Sequence, residues 1–222
     1  MLSHYNSVNF QEFLAQNKAL STAYKALRST RNIQKGHIIV GHGDADKEMY
    51  LLTQGNAKVV LYSEGGNEIH LAELSPGTIF GEMAGLLGQS RTSNVIAQTD
   101  CRVDVIAAKA FADLLKDYPE LGLYMTYLLA KRLQETSQSL YESLAFSVPQ
   151  RVYEMLLRRS EKSETDSEIF NLSPAPSVTH LSESLNISRE ATSRAITKLA
   201  RQGLLAKHKR HWNILKPEFP SN

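Results

Sequence analysis

Cysteine is almost missing from this 222-residue chain. The single Cys101 excludes an internal disulfide and any four-cysteine iron–sulfur cluster or zinc site within one chain. Long apolar runs are missing too, and no stretch approaches the roughly 18 residues that a membrane-spanning helix needs. The amino-terminal M-L-S-H-Y-N-S-V-N-F has no basic region followed by an apolar one, so no secretory leader is expected. These absences predict a cytoplasmic protein with no membrane partner. Net charge is small, at +2, but unevenly spread: residues 179–216 carry eight Lys/Arg against two acids, Glu183 and Glu190. A basic block at one end suggests a polyanion partner for that end alone. At this length more than one domain is expected.

Residues 3–30 read as short helical pieces that pack through Phe10, Phe13, Leu14 and Leu20. Ten of the twelve glycines then fall between residues 36 and 88. They separate β-rich runs at 37–40, 49–52, 57–62 and 69–74, with a hairpin turn at 64–67, and strands resume at 94–97 and 102–107. Short strands at turn-rich intervals predict a β-roll or barrel. His37, His42 and His70 raise the alternative of a metal-dependent barrel enzyme. They lack the close His-x-His spacing and following acid of such sites, so neither metal nor enzymatic activity is expected.

The chain is organised around P-G-T-I-F-G-E-M-A-G-L-L-G-Q-S-R-T-S-N-V, residues 76–95. Gly81 permits close backbone approach to a ligand, and the turn beginning at Glu82 and Met83 offers free N–H donors. Arg91 presents a planar fork that matches two phosphate oxygens, and Thr92 adds a hydroxyl. Ionised Glu82 only accepts hydrogen bonds, which suits a ribose hydroxyl. The alternative is a structural Glu82–Arg91 ion pair on a loop.

From about residue 120 to 146 the pattern is helical without a breaker, close to 40 Å at roughly 1.5 Å per residue. Asp117 near the cap and Pro119 in the first turn open it. Two seven-residue pairs, Leu121/Leu128 and Leu133/Leu140, suggest a two-helix coiled coil between subunits, the alternative being a helix packed on its own barrel. Thr136 and Ser137 put hydroxyls on this helix, costly at a seam unless something satisfies them, with a polar register pin the alternative. Ser147-Val148-Pro149 is the hinge. A helix follows over 150–161 with Val152, Met155 and Leu156 on its buried face, then an exposed linker through 160–168, Pro174 and Pro176.

Residues 178–186 and 188–202 read as two helices separated by about one residue, with Ser188 an N-cap and Gly203 a terminator. Arg189, Glu190, Ser193, Arg194 and Lys198 share the outward side, where a helix-turn-helix addresses the major groove. Arg189 and Arg194 can pair two-pronged with guanine and Glu190 can accept from cytosine, unless these charges merely solvate the helix. Beyond Gly203, two short strands flank K-H-K-R-H-W, a two-stranded wing with a phosphate-contacting tip.

F-G-E-M-A-G-L-L with S-R-T-S resembles the phosphate-binding cassette of the bacterial cyclic AMP receptor protein (catabolite activator) family. R-L-Q-E-T-S resembles that family's dimer helix, and S-R-E-x-x-x-R its recognition helix. Ser93 departs from the alanine more often found there. The resemblance implies an α+β chain: a cyclic-nucleotide-binding β-roll (1–117), a dimerisation helix (118–146) and a winged helix-turn-helix (150–222). It implies cyclic AMP held by Gly81, Glu82, Met83, Arg91 and Thr92, with Thr136 and Ser137 meeting the adenine from the two subunits. It further implies a homodimeric transcription regulator that reads TGTGA-like half-sites in double-stranded DNA through Ser188, Arg189, Glu190, Ser193, Arg194 and Lys198, with RNA polymerase a partner; the alternative is a regulator of the same family that responds to a different ligand or binds DNA constitutively.

Overall fold

Glycine turns break the first part of the chain into strands too short to form anything but a closed or facing pair of sheets. The computed structural model describes residues 9–162, 169–215 and 219. It divides into two units, 1–133 and 134–222. In the first, β1 (Ser29–Ile33), β8 (Cys101–Ile106), β3 (Met49–Gln54) and β6 (Ile79–Phe80) form one antiparallel sheet in that order. A second sheet has the order β2 (Ile38–Val40), β7 (Asn94–Ala97), β4 (Ala57–Tyr62), β5 (Glu68–Leu74). Both contribute to one core that includes Val40, Leu52, Ala57, Val95 and Val103, all buried. This is the β-roll, and its β4–β5 hairpin turns at the expected place, with Tyr62 opposite Glu68.

Strand β3 explains the apolar run Met49-Tyr50-Leu51-Leu52. Successive side chains point to opposite faces, and both faces are covered. Tyr50 and Leu52 enter the roll interior, while Met49 and Leu51 meet a helical layer. That layer consists of α1 (Phe10–Gln16), α2 (Lys18–Leu27), α4 (Ala108–Asp117) and the start of α5 (Pro119–Ala145). Phe13 stacks on Tyr124 at 4.4 Å between ring centroids, and Asn9 and Glu12 form a capping box at the start of α1. Leu121 is fully buried in this core and Leu128 packs against it. The first seven-residue pair therefore belongs to the roll and not to a seam, because the helical layer would otherwise leave Met49 and Leu51 uncovered. The stretch around Asp117 is the joint between α4 and α5. Farther along α5, Leu133, Leu140 and Leu144 are exposed.

In the second unit, α6 (Val148–Arg158), α7 (Val178–Leu185) and α8 (Arg189–Arg201) enclose Val152, Tyr153, Leu156, Leu181, Ile196 and Leu199. The two expected wing strands pair with each other, and the sheet extends beyond them. It is a four-stranded sheet in the order β11 (Leu205–Lys207), β12 (Trp212–Ile214), β10 (Phe170–Leu172), β9 (Glu161–Lys162). Part of the supposed linker is thus strand, and residues 163–168 of it lie outside the described residues. Three residues, Phe170-Asn171-Leu172, are too few to declare a period, and only pairing with β12 makes them a strand.

Glu142 on α5 is buried and accepts from both terminal nitrogens of Arg158 on α6, at 2.5 and 2.9 Å, and from Gln138 at 2.8 Å. The Arg158 guanidinium holds its carboxyl below the ordinary value of 4.5. A carboxylate depressed in the folded state contributes stability that is complete above its unfolded pKa and lost as pH falls through the folded one. Chemical denaturation should therefore show stability declining as pH drops below about 4.5, with a shallower decline in Glu142→Gln.

Candidate effector cassette and nucleic-acid interface

Strand β6 ends at Phe80, whose ring stacks on Tyr50 of β3 at 5.1 Å. The chain then turns through Gly81 with φ +79°, a left-handed conformation. A Cβ there would lie 2.8 Å from Arg91 Nη1 and 3.0 Å from the Glu48 carbonyl oxygen. Glycine is required twice over, by dihedral and by space. The short helix α3 (Glu82–Leu87) follows and ends at Gly88, also left-handed.

Glu82 and Arg91 both sit beside this turn, and both are buried. They do not pair with each other. Arg91 donates from Nε to Asp46 Oδ2 at 3.2 Å and from Nη2 to Asp46 Oδ1, a two-pronged contact. It also donates to the Glu48 carbonyl at 2.6 Å and the Gly81 carbonyl at 2.9 Å, with the guanidinium over the Tyr50 ring at 5.4 Å. Asp46 is held below its ordinary carboxylate range by that guanidinium. Glu82 accepts from Arg132 Nη1 of α5 at 2.6 Å, and Arg132 also donates to the Ile79 carbonyl. Met83 and Thr92 are exposed, as are Thr136 and Ser137 on α5. Glu82 and Arg91 thus each have a partner of opposite charge within the chain.

Asp46 and Arg132 escaped the sequence reading. Asp46 lies in an acidic turn, Asp44-Ala45-Asp46-Lys47-Glu48, directly before the buried strand β3. That position was its only signal. Arg132 stands four residues before Thr136, so one helical face carries both.

At the other end, Ser177 caps α7 and Ser188 caps α8, each hydroxyl accepting from the backbone N–H three residues on, at 3.1 and 3.2 Å. Asn186 takes φ +52° in the turn between them. Thr192, Ala195, Ile196 and Leu199 face inward. Arg189, Glu190, Ser193, Arg194 and Lys198 are all exposed, so the helix phase brings the expected side chains to one surface. The Ser188 oxygen is engaged as the cap. Thr197, Arg201 and Gln202, missed earlier, share a groove with Ser193, Arg194 and Lys198. On the wing, Lys207 lies over the Trp212 ring, and His208 stacks on His211 at 4.5 Å. Among the described residues no group of three or more His, Cys, Asp or Glu could hold a metal ion, and no helix is long and apolar enough to cross a membrane.

Residues 30–118 match the cyclic nucleotide-binding domain family and residues 150–219 the Crp-like helix-turn-helix domain. The chain is similar to the cAMP-activated global transcriptional regulator CRP of Pasteurella multocida, at 28% identity over 172 residues, 77% of this chain and 82% of the relative. The CRP-like cAMP-activated global transcriptional regulator of Mycobacterium tuberculosis is 26% identical over 175 residues, 76% of each. Among solved structures, the c-di-GMP-responsive regulator CLP of Xanthomonas campestris superposes with a TM-score of 0.72 at 19% identity, covering 90% of this chain and 99% of that one. A CooA variant from Carboxydothermus hydrogenoformans gives 0.75 at 17% identity, covering 96% and 93%. A β-roll of cyclic-nucleotide-binding type together with an exposed basic recognition helix defines a DNA-binding transcription regulator. The chain belongs to the CRP–FNR family of such regulators.

Removing Arg132 as Arg132→Ala leaves the Glu82 carboxylate buried without its counter-charge. Urea denaturation should show a loss on the order of 3 kcal/mol, and the double variant with Glu82→Gln should recover part of it.

Proposed function

We propose that this regulator responds to cyclic AMP and, as a homodimer, binds palindromic sites with TGTGA-like half-sites. The observation that carries the reading is the convergence of Gly81, Glu82 and Arg91 on one turn of the roll, in the order of the phosphate-binding cassette. The cAMP-activated relatives add to it. In this reading Gly81 and Glu82 address the ribose, Arg91 and Thr92 the phosphate, and Met83 flanks the ligand. Thr136 and Ser137 take the adenine at the interface between the two copies of α5. Leu133, Thr136, Leu140 and Ser143 alternate at spacings of three and four, and a stripe whose leucines are 69% and 59% exposed needs a partner. Residues 1–117 act as sensor, 118–146 as dimer helix and 150–222 as reading domain. The protein works in the cytoplasm, without enzymatic activity, with RNA polymerase as the recipient of its signal.

At the DNA, Arg189 and Arg194 read guanine and Glu190 reads cytosine, while Ser188, Ser193 and Lys198 position the helix. A carboxylate amid cations that would otherwise hold phosphates is better explained by base reading than by backbone binding. A second reading changes only the effector. It is favoured by the internal partners already held by Arg91 and Glu82, and the solved relative CLP responds to c-di-GMP.

Operator binding measured with and without cyclic AMP tests the first reading, and an affinity indifferent to the nucleotide would remove it. Arg91→Leu should abolish the response and leave weak, salt-sensitive DNA binding. Glu190→Ala should relax preference at one half-site position, corresponding to about 1–3 kcal/mol of lost discrimination in a binding-site selection assay. Preference unchanged at every position would count against that role.

A further inference from the structure

The Arg91–Asp46 contact is lopsided in a way that bears on how any anion reaches this site. The Arg91 side chain is 2% exposed and that of Asp46 38%. The cation cannot withdraw into water, whereas the carboxylate can, at little cost in desolvation. Leaving Arg91 buried without a counter-charge is unfavourable, so the pair opens only when another anion takes over.

Which edge of the guanidinium is occupied matters as much. A guanidinium offers five N–H groups, and the edge formed by Nε and Nη2 matches two oxygens of one acid. That edge is taken by Asp46, Nη1 points to the Gly81 carbonyl, and Nη2 also reaches the Glu48 carbonyl. The loop that supplies Asp46 is tied down by backbone bonds, from Gly43 N–H to the Arg91 carbonyl and from Arg91 N–H to the Asp44 carbonyl, both 2.9 Å. His42 N–H adds a bond to Asn94 Oδ1 at 3.0 Å. Rotation of one exposed side chain, which also gives up long contacts from the Glu48 N–H at 3.3 Å and the Tyr50 hydroxyl at 3.4 Å, would vacate the fork while these bonds, and the two carbonyls on Arg91, stay in place.

We infer that Asp46 is a resident counter-anion occupying the effector's phosphate position, and that the effector binds by exchanging its phosphodiester for this carboxylate at the Nε–Nη2 edge of Arg91. The inference rests on the proposed cyclic-nucleotide reading of the β-roll. Both anions are ionised near neutral pH, so the exchange moves no proton. Asp46 thereby sets the concentration of effector at which the regulator responds, by making every ligand compete with a group that is always present.

Titration calorimetry of the full chain and of Asp46→Asn with cyclic AMP, cyclic GMP and cyclic di-GMP tests this. Asn keeps an oxygen for Arg91 and loses the charge, so the variant should bind the active nucleotide about tenfold more tightly or better. Glu64→Gln, the same change of charge on the β4–β5 turn, should change affinity far less. Measurable heat only with Asp46→Asn would support the exchange as well, since the resident anion would then be winning in the unaltered chain. Equal or weaker binding by Asp46→Asn would overturn it, by making Asp46 a support for Arg91 and not a rival of the ligand. No heat for either protein with any of the three would remove the cyclic-nucleotide reading itself, and the exchange with it. The ¹³C resonance of the Asp46 carboxyl gives a second readout that does not depend on affinity. It should move to a solvent-exposed position on adding nucleotide, and an unmoved resonance at saturation would equally overturn the exchange.

Discussion

A guanidinium that is out of reach of water must have an anion beside it, and the turn at Gly81 is built around that requirement. Arg91 lies under the Tyr50 ring, against two backbone carbonyls and one carboxylate. Those acceptors come from the loop before β3 and from the turn between β6 and α3, while β3 itself supplies the ring. The segments contributing to the roll are therefore held in mutual register by the needs of one cation, beyond what their apolar contacts do. Buried ionic groups of this kind add little net stability compared with apolar packing, and their value lies in determining which arrangement is allowed.

Glu82 repeats the logic with opposite sign. Its carboxylate is satisfied from α5 by Arg132, which also reaches back to β6. The two charged residues of the cassette thus face different structural elements. Any ligand that draws on both acts on the loop at Asp46 through one and on the long helix through the other. One turn of the chain is thereby tied to two structural elements. The polar network around them extends further, through Tyr50 and Glu48 to Arg31. Burial and the neighbouring carboxylates raise the Tyr50 phenol above its usual range, so it remains a neutral donor.

Much of the fold was legible because its signals are local. The glycine-punctuated strands, the breaker at Ser147-Val148-Pro149 and the cap Ser188 each act within a few residues. The phase of α8 likewise followed from spacing alone, which is why its exposed charges emerged on one side. What escaped was set by pairing at long range. Strand β10 exists because β12 lies beside it, Leu121 is core because β3 needs cover, and the Asp46–Arg91 contact spans 45 residues.

Residue types and their order by themselves determined that this chain has a β-roll of cyclic-nucleotide-binding type, a long helix and a helix-turn-helix end. Those properties reside in periodicity, in glycine's conformational freedom and in the donor geometry of particular side chains. Only the tertiary structure decided which anion answers Arg91 and which cation answers Glu82. Ion pairing is undirected along the chain and depends on proximity and burial, and these exist only once the roll has closed and the first part of α5 has packed on it.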